Sequence, residues 1–399
     1  MLDGEVTKKL RQSNEVNDSD SDVGDFIQHT DMPTTPELRG KSAELQSIAN
    51  KPRVCQIWTM LVTIGTIYVG TNYYTGRLAP QEDLLSAQLN WGDTSTVKFE
   101  VLSSMNSTGA LIAVIFSGVF LPLGRRKSYF LAYFFVLSGV VLTEIETYPT
   151  KVVGGILHGI SAGILQVTSN RYIEEYVPLA MYGTASPFNI FCGQFGVFLG
   201  NLTGIFYQND SPEELATTQV WRYIDAGSAV FATLTIISLL TLVRTDSPKF
   251  YLSRNDEAGA MQAVHAIYQT EGSPERARRI IRFIEKSGNK KTTKVGVIDG
   301  LWRDERYARA SLVNVAVMSF HVLTGYGAVI SFSTTIFKTA PGLSIDPQVG
   351  TYMVGAVNVI AAMCGIGTLR FFGRRTVLLW GHALIAICHG LIVLSIIFE

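Results

Sequence analysis

Two short basic loops, Gly124-Arg125-Arg126-Lys127-Ser128 and Gly373-Arg374-Arg375-Thr376, hold the side chains whose type and spacing could do chemistry. Guanidinium groups carry a permanent charge in a rigid fork that suits carboxylates and phosphates. The chain shows no nucleophile set beside a base, no phosphate loop and no metal cluster, so neither an enzyme nor a cofactor or metal is expected. The four cysteines, Cys55, Cys192, Cys364 and Cys388, all stand in apolar runs without CxxC or His/Cys spacing. They read as small hydrophobes, not as disulfide or zinc ligands.

Each basic loop lies between apolar runs: residues 97–123 and 129–143 around the first, 349–372 and 377–398 around the second. A hydrocarbon core of about 30 Å takes roughly 20 helical residues, so each loop reads as a tight turn between two spanning helices. Short arginine-bearing loops favour the cytosolic face. One unit found twice implies two related halves. Composition agrees: of 399 residues 47% are hydrophobic and 17% charged, against about 25% charged in soluble domains, and the mean hydropathy is +0.23.

Four segments follow in order. Residues 1–50, with Asp18-Ser19-Asp20-Ser21-Asp22 at their centre, carry too little apolar surface to fold and read as a disordered acidic cytosolic tail with no cleavable signal. Ser19 and Ser21 are candidate phosphorylation sites there. Residues 51–243 hold six spans, about 54–75, 97–123, 129–143, 152–172, a fifth ending near Phe206, and 221–243. The fourth carries Gly155, Gly159 and Gly163, and the fifth Gly193, Gly196, Gly200 and Gly204, small residues that let helices approach closely in lipid. Residues 244–309 form a basic cytosolic linker with short amphipathic helices at 258–268 and 274–287; topology and anionic lipid explain its charge, and nucleic acid is not expected as a partner. Residues 310–399 add three spans, 312–332, 349–371 and 377–397. The loops place the N-terminus inside and Asn209-Asp210-Ser211, a possible glycan acceptor, outside.

With the loops placed, five motifs stand in order: GRRKS at 124–128, Glu175-x-x-Pro178 with Gly183, Asp246-Ser247-Pro248-Lys249-Phe250, Leu323-Thr324-Gly325 with Ser333-Thr334-Thr335-Ile336-Phe337, and GRRT at 373–376. In these the chain resembles the sugar-porter branch of the major facilitator superfamily, and within it the facilitative hexose transporters. The resemblance implies an all-α polytopic membrane protein of the major facilitator fold, with a six-helix N-terminal half and about three helices of the C-terminal half. The family has twelve helices, so the chain is C-terminally incomplete beside it.

The resemblance also implies residues. A sugar's hydroxyls call for Gln, Asn, Thr or His around a central cavity. Asn358 matches a sugar-contacting Asn of the family. The family's paired Gln stand here as His321 and Val322, its helix-seven Asn as Gly327, and its helix-five Gln as Ile190. Gln194, one turn on, and Asn189 are the substitutes, with Thr324 a further candidate; these changes imply altered selectivity or weak binding. A cytosolic gate is implied at Arg125, Arg126, Glu175, Arg374 and Arg375. Several family counter-ions are absent: Leu121, Gly155, Tyr182 and Arg370 stand at positions that carry other polar or charged residues, leaving Glu175 and Glu174 to face the arginines. Helix one has Asn72 near the point where proton-coupled relatives carry Asp, and the spans are nearly free of Asp and Glu, so downhill transport without an ion is the expectation. The implied partners are a small-molecule sugar, the lipid bilayer (the plasma membrane by resemblance) and a partner membrane protein or second copy. A non-transporting scaffold, sensor or regulator is the alternative from another class.

Overall fold

A computed structural model describes residues 52–208, 210–270, 274–288, 305–339 and 346–398. The acidic tail with Ser19 and Ser21, the Asn209 acceptor and the linker cations Lys290, Lys291 and Lys294 lie outside the described residues. Among those described, regular structure is all helical. The N-terminal half runs α1 (Val54–Leu78), α2 (Glu82–Gln88), α3 (Ser95–Ile115), α4 (Ser117–Phe120), α5 (Arg125–Thr143), α6 (Tyr148–Tyr176), α7 (Leu179–Asn201), α8 (Pro212–Thr217) and α9 (Val220–Thr241). Then come α10 (Pro248–Leu252), α11 (Glu257–Ile267) and α12 (Pro274–Gly288), followed by α13 (Glu305–Leu323), α14 (Tyr326–Ser331), α15 (Ser333–Thr339), α16 (Pro347–Phe371) and α17 (Arg374–Phe398).

A helix stands at each of the nine expected crossings, though not all are equal. Five of the described helical segments are long and apolar enough to cross a membrane by themselves, and α3 with the turn to Leu123 makes a sixth bent by 53°. The expected single span at 312–332 is corrected: α13 stops at Leu323, Gly325 takes φ +74°, and two further short helices, α14 and α15, follow. That left-handed conformation is open to glycine without a Cβ clash, so the LTG triplet ends the helix. α13 and α17 keep shorter apolar stretches, Ala308–Leu323 and Arg375–Leu391. Of the linker helices, α11 and α12 pack on each other through Ala260, Val264, Ala277, Ile280 and Ile281, which leaves Arg278 and Arg282 outward.

Backbone contact through glycine builds the N-terminal half. A Cβ on Gly159 or Gly109 would fall on the carbonyl oxygen of Asn106 or Ile156, so α3 and α6 touch main chain to main chain. Gly76, Gly196 and Gly200 do the same between α1 and α7, and Gly139 with Gly154 between α5 and α6. Lipid tails are as apolar as leucine, so close packing, not expulsion from water, holds such helices together. Around these seams Ile57, Met60, Leu61, Tyr129, Tyr172, Tyr176 and Leu239 make one buried cluster. In the other half Phe320, Met353, Met363 and Trp380 are exposed.

Gly159→Leu is expected to destabilise by about 1–3 kcal/mol, the usual cost of overpacking. Gly367→Ala, whose Cβ meets nothing within 4 Å, is expected to change stability by no more than about 1 kcal/mol, upward. Thermal melting of both variants in one detergent checks the contrast.

Candidate functional site

The two ends of the helix array differ in chemistry. At the basic end, Gly124 at φ +110° turns the chain out of a 3-10 turn and into α5. The first N–H groups of a helix have no partner within it. Here the carboxylate of Asp246, beyond the far end of α9, accepts from the N–H of Arg125 (3.3 Å) and of Arg126 (3.2 Å). A Cβ on Gly124 would lie 2.9 Å from Asp246 Oδ2 and 2.8 Å from the Phe250 ring, so only glycine lets the carboxylate sit there. Arg125 Nη2 donates to Glu175 Oε1 (2.6 Å), whose Oε2 accepts from the Ser247 hydroxyl (2.6 Å). Arg126 donates to the carbonyls of Arg244 (2.5 Å) and Leu239 (2.8 Å). Arg254 reaches back to the Pro122 carbonyl (2.8 Å) and lies over the Phe250 ring. α5, α6 and α9 are thereby tied into one body through the DSPKF segment.

This changes the counter-ion set inferred from sequence. Glu175 does face Arg125, but Glu174 is exposed and pairs with Arg171 (3.2 Å) instead. Asp246, Ser247 and main-chain carbonyls supply the rest. Burial pushes the Asp246 carboxyl above the usual range, opposed by the N–H groups of Ser247 and Arg126 and the Arg125 charge. Arg375 is exposed, and the Arg374 side chain lies outside the described set. Among the described residues no hydrogen bond or ion pair joins the Arg125 cluster to the start of α17.

Between the ends, polar groups gather where α7 faces α1, α14 and α16. Gln194 Oε1 accepts from the Tyr326 hydroxyl (3.0 Å), a bond between the two halves. The exposed ring of His321 lies 5.7 Å from that of Tyr326. Thr324 is turned inward on its own chain, its hydroxyl donating to the His321 carbonyl (2.6 Å). Asn189, 4% exposed, is buried on α7 with its Oδ1 without a partner. Asn72 donates to the Tyr68 carbonyl (2.9 Å), next to Gly193. Asn358 is half-buried on α16, three residues past Gly355, which lies against Asn201 and Phe198 of α7. Gln194, His321 and Thr324 thus share one junction, with Asn189 five residues back along α7 and Asn358 on the neighbouring helix. Tyr68 and Tyr326 were not singled out in sequence, where a tyrosine in an apolar run looks like any other aromatic.

At the opposite end the halves meet. Lys338 of α15 pairs with Asp83 of α2 (2.6 Å), Thr335 donates to Glu82 Oε2 (2.6 Å), and Asn201 donates to the Thr351 carbonyl (3.3 Å).

Asp246→Ala removes both acceptors from the α5 N-terminus and is expected to cost about 1–2 kcal/mol, as loss of an N-cap does; Asp246→Asn keeps one acceptor and should fall between. A carboxyl whose folded pKa is raised binds its proton more readily folded than unfolded. The stability of the wild type relative to Asp246→Asn should therefore fall as pH rises through the carboxylate range up to that raised value, then level off. Melting curves of the three proteins from about pH 3 to about pH 7, which brackets the ordinary carboxylate range, measure both effects.

Comparison with known proteins identifies the family. The family described as "Sugar (and other) transporter" matches residues 52–398. Hexose transporter 1 of Plasmodium falciparum is 22% identical over 294 residues, covering 72% of this chain and 58% of that protein. The facilitated glucose transporter member 3 of solute carrier family 2 from Gallus gallus is 24% identical over 352 residues, 84% of this chain and 68% of that one. The chain therefore spans about three fifths of the first of these and two thirds of the second. Among solved structures, the xylose transporter XylE from E. coli in a partially occluded inward-open conformation superposes with TM-score 0.65 at 18% identity, covering 80% of this chain and 75% of that one. The proton:xylose symporter form bound to a glucose derivative gives 0.64 at 21%, covering 81% and 70%. On a match that takes in nearly every described residue, the chain belongs to the sugar (and other) transporter family, as an integral multi-pass membrane protein of the major facilitator fold.

Proposed function

We propose that the protein moves a hexose-like sugar down its gradient by alternating access, with the Arg125 end in the cytosol of a plasma-membrane protein. The observation that carries this reading is the Gln194–Tyr326 junction. It is a polar contact between the halves beside the His321 ring, with Asn189 further back on α7 and Asn358 on the neighbouring α16, and the halves also meet at the opposite end through Lys338–Asp83 and Thr335–Glu82. Hydroxyl-rich ligands need such mixed donors and acceptors, and transporters of this kind bind near the midplane between their halves. Downhill movement is favoured because Asn72 is neutral and Asp225, a buried carboxylate of the spans, is already held by Arg77. In the same reading Arg125, Arg126 and Glu175 form the N-terminal share of the cytosolic gate, and Arg374 and Arg375 the other share, engaging when the protein opens outward.

Reconstituted in liposomes, the protein should give saturable hexose uptake that an imposed pH gradient does not drive uphill. Asn358→Ala and Gln194→Leu should each weaken sugar binding roughly fivefold, the equivalent of about 1 kcal/mol for one net hydrogen bond, without loss of expression. No saturable flux with any hexose tested would leave the scaffold or regulator reading in its place.

A further inference from the structure

Where the chain enters its first span it is tied to the linker between the halves. Pro52 and Tyr268 form an antiparallel β-bridge, and the Arg53 N–H donates to the Ile267 carbonyl (2.8 Å). Ile267 is buried in one cluster with Ile57 of α1. Tyr268 packs against that cluster and against the one that joins α11 to α12. Beside the bridge opens a groove of about 880 Å³ lined by Pro52, Arg53, Gln56, Gln269 and Arg276 of α12, with no carboxylate among its described lining residues.

The helix that leads away from this groove is basic. Arg278, Arg279 and Arg282 are exposed and stand three to four residues apart, so they share a face. Glu275 is the carboxylate on the described surface of α12 and offsets one of them. Asp256 and Glu257 lie at the other end of α11 from the bridge, about 16 Å away along that helix. Over 244–309 as a whole the sequence has 14 Lys and Arg against 9 Asp and Glu, so the linker keeps a positive excess however its own pairs form.

Residues 12–38 have the opposite character: seven carboxylates between Glu15 and Glu37, and no lysine or arginine. Glu37 stands 15 residues before Pro52, and that length of chain reaches about 50 Å when extended. The row from Arg276 to Arg282 is only about 9 Å long. A segment tethered so close to its target has an effective concentration on the order of millimolar, so charge pairs that are weak singly suffice. From the bridge, the excess of cations and the acidic run that the same chain brings to them, we propose that residues 12–38 dock on the Arg278–Arg282 face of α12. The tail then straps itself to the linker that joins the halves. Phosphate on Ser19 or Ser21 adds up to about two negative charges and tightens the strap. Anionic lipid is the competitor for this face, and the tether favours the tail. The docking is independent of the sugar junction and stands or falls without it.

The test is the tail–linker distance by pulsed electron resonance in the full chain. Spin labels go on Val23→Cys and on Gln262→Cys, an exposed position of α11, with the four native cysteines replaced. The protein is measured in nanodiscs of phosphatidylcholine, and again with phosphatidylserine added. Docking gives one short, narrow distance in both at about 0.1 M salt. It is lost at about 1 M, where the screening length falls from about 10 Å to about 3 Å. Ser19→Glu should raise the salt concentration needed to lose it. Arg278→Glu with Arg282→Glu should broaden the distribution, and Asp18→Lys, Asp20→Lys and Asp22→Lys in the same chain should restore it. If the arginine variant does not fold, Asp18→Asn, Asp20→Asn and Asp22→Asn together decide, since they must broaden the distance by themselves. A broad distribution at low salt, or a narrow one indifferent to these substitutions, would overturn the proposal. Loss of the narrow distance on adding phosphatidylserine would overturn it too, and assign the face to anionic lipid.

Discussion

Main-chain contact between helices is the constraint from which the rest of the structure follows. In hydrocarbon, hiding leucine against leucine gains almost nothing over leaving it in lipid. Cohesion must come from atoms brought close, and the closest approaches occur where no side chain intervenes. Gly109 with Gly159, Gly76 with Gly196 and Gly200, and Gly139 with Gly154 bring α3 to α6, α1 to α7 and α5 to α6. These seams fix the N-terminal half and with it the positions of Gln194, Arg125 and Glu175.

Two polar groups then close that half at its ends. At the basic end Asp246 seats itself on the opening turn of α5 and Glu175 bridges Arg125 to Ser247. At the other, Asp225 holds Arg77 deep between α1 and α9. Both ends are thus secured within one half. Contacts with the second half lie away from Arg125 and Arg126, along α7 against α14 and α16 and between α2 and α15. A body tied within itself at the arginine end and touching its neighbour elsewhere can pivot on that neighbour, as rocking-bundle transport requires.

Most of the fold was legible because apolar length and loop charge are one-dimensional signals. The runs around GRRT give α16 and α17 closely at both ends, and the run after GRRKS gives the end of α5; the run 97–123 instead breaks after Ile115, where α3 ends, and Gly159 and Gly163 mark the face of α6 that meets α3. The break at Gly325 was less visible, since one glycine in an apolar run is common and its sign of φ is not written in the residue type. The site was legible only in part. Gln194 and His321 stand out as polar residues in spans, but their meeting at Tyr326 depends on how α14 turns after the break. Asp246 could be read as part of a motif, yet not as the cap of a helix 121 positions earlier. Arg77, Lys151 and Asp225 each sit near a helix end, where a charge usually reaches water; their shared burial is a property of three helices packed together.

Distances between the halves probe this arrangement most directly. Spin labels on α5 and α17 near the arginine loops, and a second pair on α2 and α15, can be measured by pulsed electron resonance in lipid with and without a saturating hexose. Rocking about the α7–α16 contact requires two populations at the arginine end, shifted by sugar, with changes of opposite sense between α2 and α15 and none within α5, α6 and α9. A single distance at each end, unmoved by any sugar, would contradict it.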